Sequence, residues 1–569
     1  MNIALKEKPF YLSEEQIAFV KQKLSEMTQD EKIGQLFFPI NYIGDEQELR
    51  EFVRKFQPGG LMNRPAPGQI NQKKHRIMQE ESKIPMFISA NLESGGNGIA
   101  SEGTAFGNPL QIAASGDTQY AYELGKISGA EGRAVGVNYA FSPVTDIDYN
   151  IGNPITNTRT FGNNPDTVYD MSAAFIRGLR EGGKDMCYSI KHFPGDGIDD
   201  RDQHLHTTYN TLSVEEWEAT YGRNYRRYIE DGATSFMVGH IGLPEYVRRI
   251  NPNASKKEIL SPASLSKELV TGLLRERMGF NGVIITDSTS MNGFYSHMSR
   301  EQAVPTAIAN GCDIFLFNFN VEEDYQFMKK GIEKGILTPE RVDEAVIRVL
   351  ALKVSMGLFD KQVAGILVPG EDALKELGKQ EYQELAKKCA YQSVTLVKDE
   401  ENNLPITPKT HRRLMVYVMG DREDFYGNQK VGNLFIQEMR KEGFEIDTFD
   451  YSVHFPDASE KMGDFLEKYD AVVYVLSEGT SSNQTTVRLK WNLPLANDAP
   501  WFVNDIPVIA VSFANPYHLR DMPEIKTYIN AYTTNFYNVR AVVDKITGKS
   551  IFTGKNPVDT TCGYFELNL

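Results

Sequence analysis

Short apolar runs alternate with amphipathic stretches through the first 360 residues. The runs that predict strands are QLFFP (35–39), GGLM (59–62), PMFISAN (85–91), VNYAFSP (137–143), CYSIKHF (187–193), SFMVGHI (235–241), VIITD (283–287) and DIFLF (313–317). Each is apolar nearly throughout instead of at alternate positions, which marks strands covered on both faces, as in a parallel sheet. The stretches between them carry helix start signals. Asn164-Pro165 and Thr338-Pro339 set a capping side chain ahead of a proline at the first helical position. Thr28-x-x-Glu31 and Ser213-x-x-Glu216 fit the capping box. Eight strand–helix units predict an α/β protein whose first part is a closed (β/α)8 TIM-type barrel.

Beyond residue 360 the pattern restarts. FDKQVAGILVPGEDALKELG reads as a linker, with a helix over 376–392 behind it. Further β-type runs are SVTLVKD (393–399), LMVYVMG (414–420), AVVYVLS (471–477), PVIAVSF (507–513) and TYINAY (527–532). They predict a smaller, open α/β layer domain. The expected organisation is a barrel domain at 1–360, a linker and connecting helix at 361–392, and a C-terminal domain at 393–569. The histidines of this last part, His411, His454 and His518, are scattered and read as structural or exposed.

In a barrel of this kind, functional groups gather where strands end and the following loops begin. The polar residues here sit in those places. Asn91 ends strand three, Asp146 follows strand four, Lys191 and His192 end strand five, His240 ends strand six and Asp287 ends strand seven.

Composition narrows the function classes. The 569 residues have the apolar and charged fractions of a globular protein. A formal charge of −15 argues against a nucleic-acid surface, which needs basic groups to neutralise phosphates. No apolar run approaches the roughly 18 residues of a membrane span. The opening MNIALKEKPFYLSEEQ lacks the apolar core of a signal peptide, so a cytoplasmic location is expected. The four cysteines are widely spaced and read as reduced core thiols. Oligomeric state leaves no trace in the pattern.

The loop after strand five, GDGIDDRDQHLHTT, concentrates aspartates and histidines. His204-x-His206 with Asp199, Asp200 and Asp202 could suggest a metal site. In a loop, however, that spacing fixes no ligand geometry, and no metal is expected. The other reading pairs Asp202 with His204. A carboxylate bonded to an imidazole fixes its tautomer and stabilises its cation, which makes a general acid/base. Asp287 is then the candidate second carboxylate for covalent work.

KHFPGDGIDDRDQHLHT resembles the K-H-F-P-G-H-G…D-S-H signature of family 3 glycoside hydrolases, in their two-domain bacterial β-N-acetylglucosaminidase branch. MTQDEKIGQLF, FSPVTDI (141–147), NTRTFGNNPD (157–166), SLSKELVTGLLRERMGFNGVIITDSTSM (264–291) and SVTLVKDEENNLPI (393–406) resemble further family blocks, in order. The resemblance implies Asp287 as nucleophile, His204 as acid/base and Asp202 as its partner. It implies Lys191, His192 and Arg159 as holders of the sugar's hydroxyls and acetamido group, with His240 lining the site. No cofactor is implied. The expected substrate is a small carbohydrate ending in β-linked N-acetylglucosamine, such as a peptidoglycan fragment being recycled.

Three departures bear on specificity. The branch reads D-Q-E-G-G where this chain has NLESGGNG, so Asn91 replaces an aspartate that grips sugar hydroxyls. Asparagine exchanges a charged acceptor for one neutral acceptor and one donor. Asp196 stands where the loop often has histidine, and Ser288 where a second aspartate is commoner. The expected activity is retaining exo-β-N-acetylhexosaminidase. The alternatives are a phosphorylase of the same family, since a neutral imidazole repels phosphate less than a carboxylate does, and a non-catalytic sugar-binding relative.

Overall fold

A computed structural model of the protein describes residues 3–184, 186–421, 430–452, 461–491 and 497–567. The chain forms two compact units. One comprises Met1–Ala105, Ala121–Asn153 and Val168–Tyr382; the other comprises Phe106–Tyr120, Pro154–Thr167 and Gln383–Leu569.

The first unit is the expected barrel. Its strands are β1 (Phe37–Phe38 and Ile40–Asn41), β2 (Gly60–Asn63), β3 (Phe87–Ala90), β4 (Tyr139–Ala140), β5 (Cys187–Phe193), β6 (Ser235–Val238), β7 (Val283–Thr286) and β8 (Phe315–Leu316). Pro39 divides β1 because it has no amide proton for the ladder. The piece before Pro39 pairs with β8 and the piece after it with β2, all parallel. Parallel pairing continues from β2 through β7, and Ile285 bridges Ile314 beside β8. The ring therefore closes. The strands are buried almost throughout, as the unbroken apolar runs required.

The helix signals also hold. Thr28 and Ser213 form reciprocal capping boxes with Glu31 and Glu216, and Thr338 caps a helix whose first residue is Pro339. At the amino end of β8, buried Asp313 gathers Arg275, Arg341 at 2.8 Å and Arg348 at 3.7 Å. Such a charge cluster at the end of the barrel opposite the loops after the strands reads as stability.

The second unit contains a six-stranded sheet. Its strands are β9 (Thr395–Asp399), β10 (Arg413–Met419), β11 (Glu445–Thr448), β12 (Ala471–Leu476), β13 (Val508–Ser512) and β14 (Thr527–Asn530). The order is β9-β14-β13-β12-β10-β11, with only the β9–β14 pair antiparallel. Alternate residues feed two cores. Val416, Val473 and Val511 pack with helices Val431–Lys441 and Phe536–Ile546, while Tyr417, Tyr474 and Tyr528 pack on the other face. His518 is buried here with Nε2 on the Glu478 carbonyl oxygen at 2.8 Å, while His454 lies outside the described residues. Among the described residues no helix is long and apolar enough to cross a membrane.

Candidate active site at the barrel mouth

Strand β5 supplies two site groups because its ladder slips at its end. Lys191 pairs with Met237 and Phe193 with Val238, which leaves His192 as an extra, unpaired residue. Such a bulge re-aims a side chain. Asp146, on the loop after β4, holds the displaced residue at two points. Its Oδ1 accepts the His192 amide at 3.1 Å and its Oδ2 meets His192 Nδ1 at 2.7 Å. With Nδ1 committed, Nε2 is left on the pocket side, 3.8 Å from Asp287 Oδ2. Lys191 pairs with Glu93 at 2.6 Å, and both side chains are largely covered.

Asp287 directly follows β7. Its amide donates to the Val238 carbonyl at 2.8 Å, and its Oδ1 accepts the Ser288 amide at 2.7 Å. Burial alone would push this carboxyl up. The neighbouring imidazoles, His192 first, and the Ser288 amide outweigh burial and hold it below the usual carboxylate range. Asp287 is therefore anionic at neutral pH.

His204 and Asp202 are hydrogen-bonded to each other, as in the second reading of this loop. Asp202 Oδ1 meets His204 Nδ1 at 2.7 Å and also accepts the His204 amide at 2.8 Å. Asp202 is buried, whereas the His204 side chain keeps 24% exposure. His204 is among the groups whose charge acts on Asp287, and its carbonyl accepts the Asn292 amide at 2.9 Å, on the segment that follows Asp287. His206 is exposed and does not share the dyad's position.

His240 differs from the others. Nδ1 lies 2.8 Å from Ser264 Oγ and Nε2 lies 2.8 Å from the Ser288 carbonyl oxygen. The ring is fully buried, and burial pushes it down to about 4, so it stays neutral. Both nitrogens are spent on protein, leaving neither for a ligand. It steadies the backbone next to Asp287. Asn91 directly follows β3 and is exposed. Arg159 ends a turn at Asn157–Arg159, in the segment Pro154–Thr167 that groups with the second unit.

The sequence pattern does not single out Glu93, Ser264 or Gln203. Glu93 lies within the glycine-rich NLESGGNG, and an acidic residue two positions past a strand end is its one available signal. Asp196 is a further buried carboxyl. Burial first, then neighbouring Asp146, raises it to about 7. A raised carboxyl stabilises the fold below the unfolded value near 4, and that stability is lost as pH climbs through about 7. Asp196→Asn is expected to match wild type in melting temperature near pH 4 and exceed it at pH 8. The limiting difference is on the order of 4 kcal/mol. Thermal melts across pH check this; a constant difference would refute it.

Beside the pocket, a cavity of about 620 Å³ opens between Tyr42, Phe52, Ser290, Phe317, Asn318 and Phe319. Tyr42 and Phe319 follow β1 and β8 and are strongly exposed. Ser290 Oγ lies 2.8 Å from Ser288 Oγ, which places the cavity next to the Asp287 loop. Among the described residues no group of three or more His, Cys, Asp or Glu is arranged to hold a metal.

An ionised carboxylate at the end of one barrel strand, with a carboxylate-backed imidazole on the loop after another, fits the anion and acid that sugar cleavage uses. Comparison with known proteins makes the class specific. The profile of the glycosyl hydrolase family 3 N terminal domain matches residues 28–352. The chain is 40% identical over 564 residues, 99% of each chain, to a β-N-acetylglucosaminidase/β-glucosidase of Cellulomonas fimi. A solved structure described as β-glucoside phosphorylase BglX bound to 2FGlc is 41% identical, with TM-score 0.93 over 98% of this chain and 99% of that one. A family 3 β-N-acetylglucosaminidase from Paenibacillus sp. str. FPU-7, 24% identical with TM-score 0.79 over 95% of this chain and all of that one, shares the fold. The protein belongs to glycosyl hydrolase family 3.

Proposed function

We propose that the protein releases a terminal β-linked N-acetylglucosamine, or a related β-glycoside, with net retention of configuration. The observation that carries this reading is that the His204–Asp202 dyad, bonded at 2.7 Å, is held by the Asn292 amide at 2.9 Å to the segment that follows ionised Asp287. Asp287 attacks the anomeric carbon while the His204 imidazolium protonates the departing oxygen. The neutral imidazole then takes a proton from the acceptor that frees the sugar. Asp202 keeps the His204 Nδ1 proton in place, so that Nε2 does the work. Lys191 and His192, already oriented by Glu93 and Asp146, donate hydrogen bonds to the sugar. The exposed aromatic faces of Tyr42 and Phe319 suit the ring of a leaving group.

The neutral Asn91 grips hydroxyls less strongly than aspartate would, which favours acceptance of both N-acetylglucosaminides and glucosides. The double name of the Cellulomonas fimi relative agrees with that breadth.

Phosphorolysis is the second reading. It is favoured by the relative described as a β-glucoside phosphorylase and by an acid/base that becomes neutral, not anionic, after giving up its proton. A panel of aryl β-glycosides differing at C2, assayed with and without phosphate, tests both. Free sugar at a phosphate-independent rate supports hydrolysis. A sugar 1-phosphate, with turnover that rises with phosphate, establishes the second reading. No turnover of any member overturns both.

A further inference from the structure

The loop that carries the dyad is gripped on two sides by elements that have no part in the proposed chemistry. On one side the His240 amide donates to Gln203 Oε1 at 2.8 Å, tying the residue between Asp202 and His204 to the end of β6. On the other, the short helix Asn292–Tyr295 after β7 meets the loop's backbone. The Asn292 amide donates to the His204 carbonyl at 2.9 Å, and its side-chain Nδ2 donates to the Leu205 carbonyl at 2.6 Å. Thr207 Oγ1 returns a bond to the Gly293 carbonyl at 2.9 Å. Gly293 leaves no room for a side chain: a Cβ there would lie 2.4 Å from the Gln203 carbonyl oxygen, 2.7 Å from that of His206 and 3.0 Å from His240 Cβ.

We propose that Asn292 and Gly293 form a latch that positions the His204 loop over the Asp287 carboxylate. The inference rests on His204 being the acid of the proposed reaction. Asp287 and the latch belong to one short stretch, 287–293, so nucleophile and acid are set in a common frame. Neither latch residue is assigned a contact with substrate. Their effect passes through the placement of His204, and a displacement of the order of 1 Å in such a group costs about a hundredfold in rate.

The test uses a property that a general loss of structure would not move. A glycoside with a strongly acidic phenol as leaving group needs no proton from the enzyme, whereas one with an alkyl or sugar leaving group does. Asn292→Ala and Gly293→Ala are expected to lower kcat/KM about 10- to 100-fold on alkyl β-glycosides. On dinitrophenyl β-glycosides the loss is expected to be about threefold or less. Asn292→Ala retains the backbone amide bond and fills no space, so it remains informative if Gly293→Ala fails to fold. Equal loss on both substrates, or no loss on either, overturns the latch. His204→Ala measured alongside separates the two levels. Leaving-group dependence in His204→Ala but in neither latch variant refutes the latch alone. Its absence in His204→Ala refutes the acid assignment and the latch with it.

Discussion

Asp287→Ala is expected to lower turnover by roughly a thousand- to a hundred-thousand-fold, with the fold intact. The fold survives because the bonds that fix this position to β6 run through its backbone: its amide reaches the Val238 carbonyl whatever the side chain. What is lost is the anion that the neighbouring imidazoles, His192 first, and the Ser288 amide keep ionised. The alanine leaves a space under the sugar ring that azide can enter. Azide is therefore expected to restore part of the rate and to give an α-glycosyl azide, since a single displacement inverts the anomeric centre. A variant that turned over substrate as fast as wild type, or an azide product of β configuration, would refute Asp287 as nucleophile.

The second large effect is at the dyad. His204→Ala is expected to cost roughly a thousandfold on unactivated glycosides, within the range general acid–base catalysis supplies. The second step slows as well, because no base remains to activate the acceptor. Here azide, which needs no base, is expected to yield the β-glycosyl azide, the opposite anomer from the Asp287→Ala product. Asp202→Asn is expected to be harmful too, since an amide can offer Nδ1 a donor and so stabilise the wrong tautomer. Because the two residues act as a unit, the double variant is expected to be hardly worse than His204→Ala alone. Steady-state kinetics on all three proteins check this; losses that multiply would mean the two groups act separately.

The barrel is legible because its strands are apolar on both faces, and runs such as VIITD and CYSIKHF fit the buried strands of a parallel sheet. The positions of Asp287, Lys191 and His192 follow from strand direction, since parallel strands deliver their last residues to one face. Strand β11 escapes the pattern for the converse reason. It lies at the sheet edge, and only Ile446 of its four residues is buried, so no apolar run announces it. The grouping of 106–120 and 154–167 with the second unit leaves no mark either, because each segment passes without a break in composition. His240 shows another limit. A histidine at a strand end reads as a ligand-facing group, and only the contacts to Ser264 and Ser288 show it serving as a neutral strut. The Asp196 carboxyl depends in the same way on distances to Asp146 that separation in sequence does not encode.

The proposed nucleophile Asp287, with His192 and His240, sits at the ends of barrel strands, but the proposed acid/base His204 does not. Asp202 and His204 both sit on the single excursion between β5 and the helix that begins at Val214. That excursion lies outside the eight barrel strands but is tied back to them, since its Thr208 and Tyr209 pair with Ile241 and Gly242. On the proposed reading, the groups that would hold the sugar are set by the barrel strands, and the group that would serve the acceptor is set by this one connecting segment.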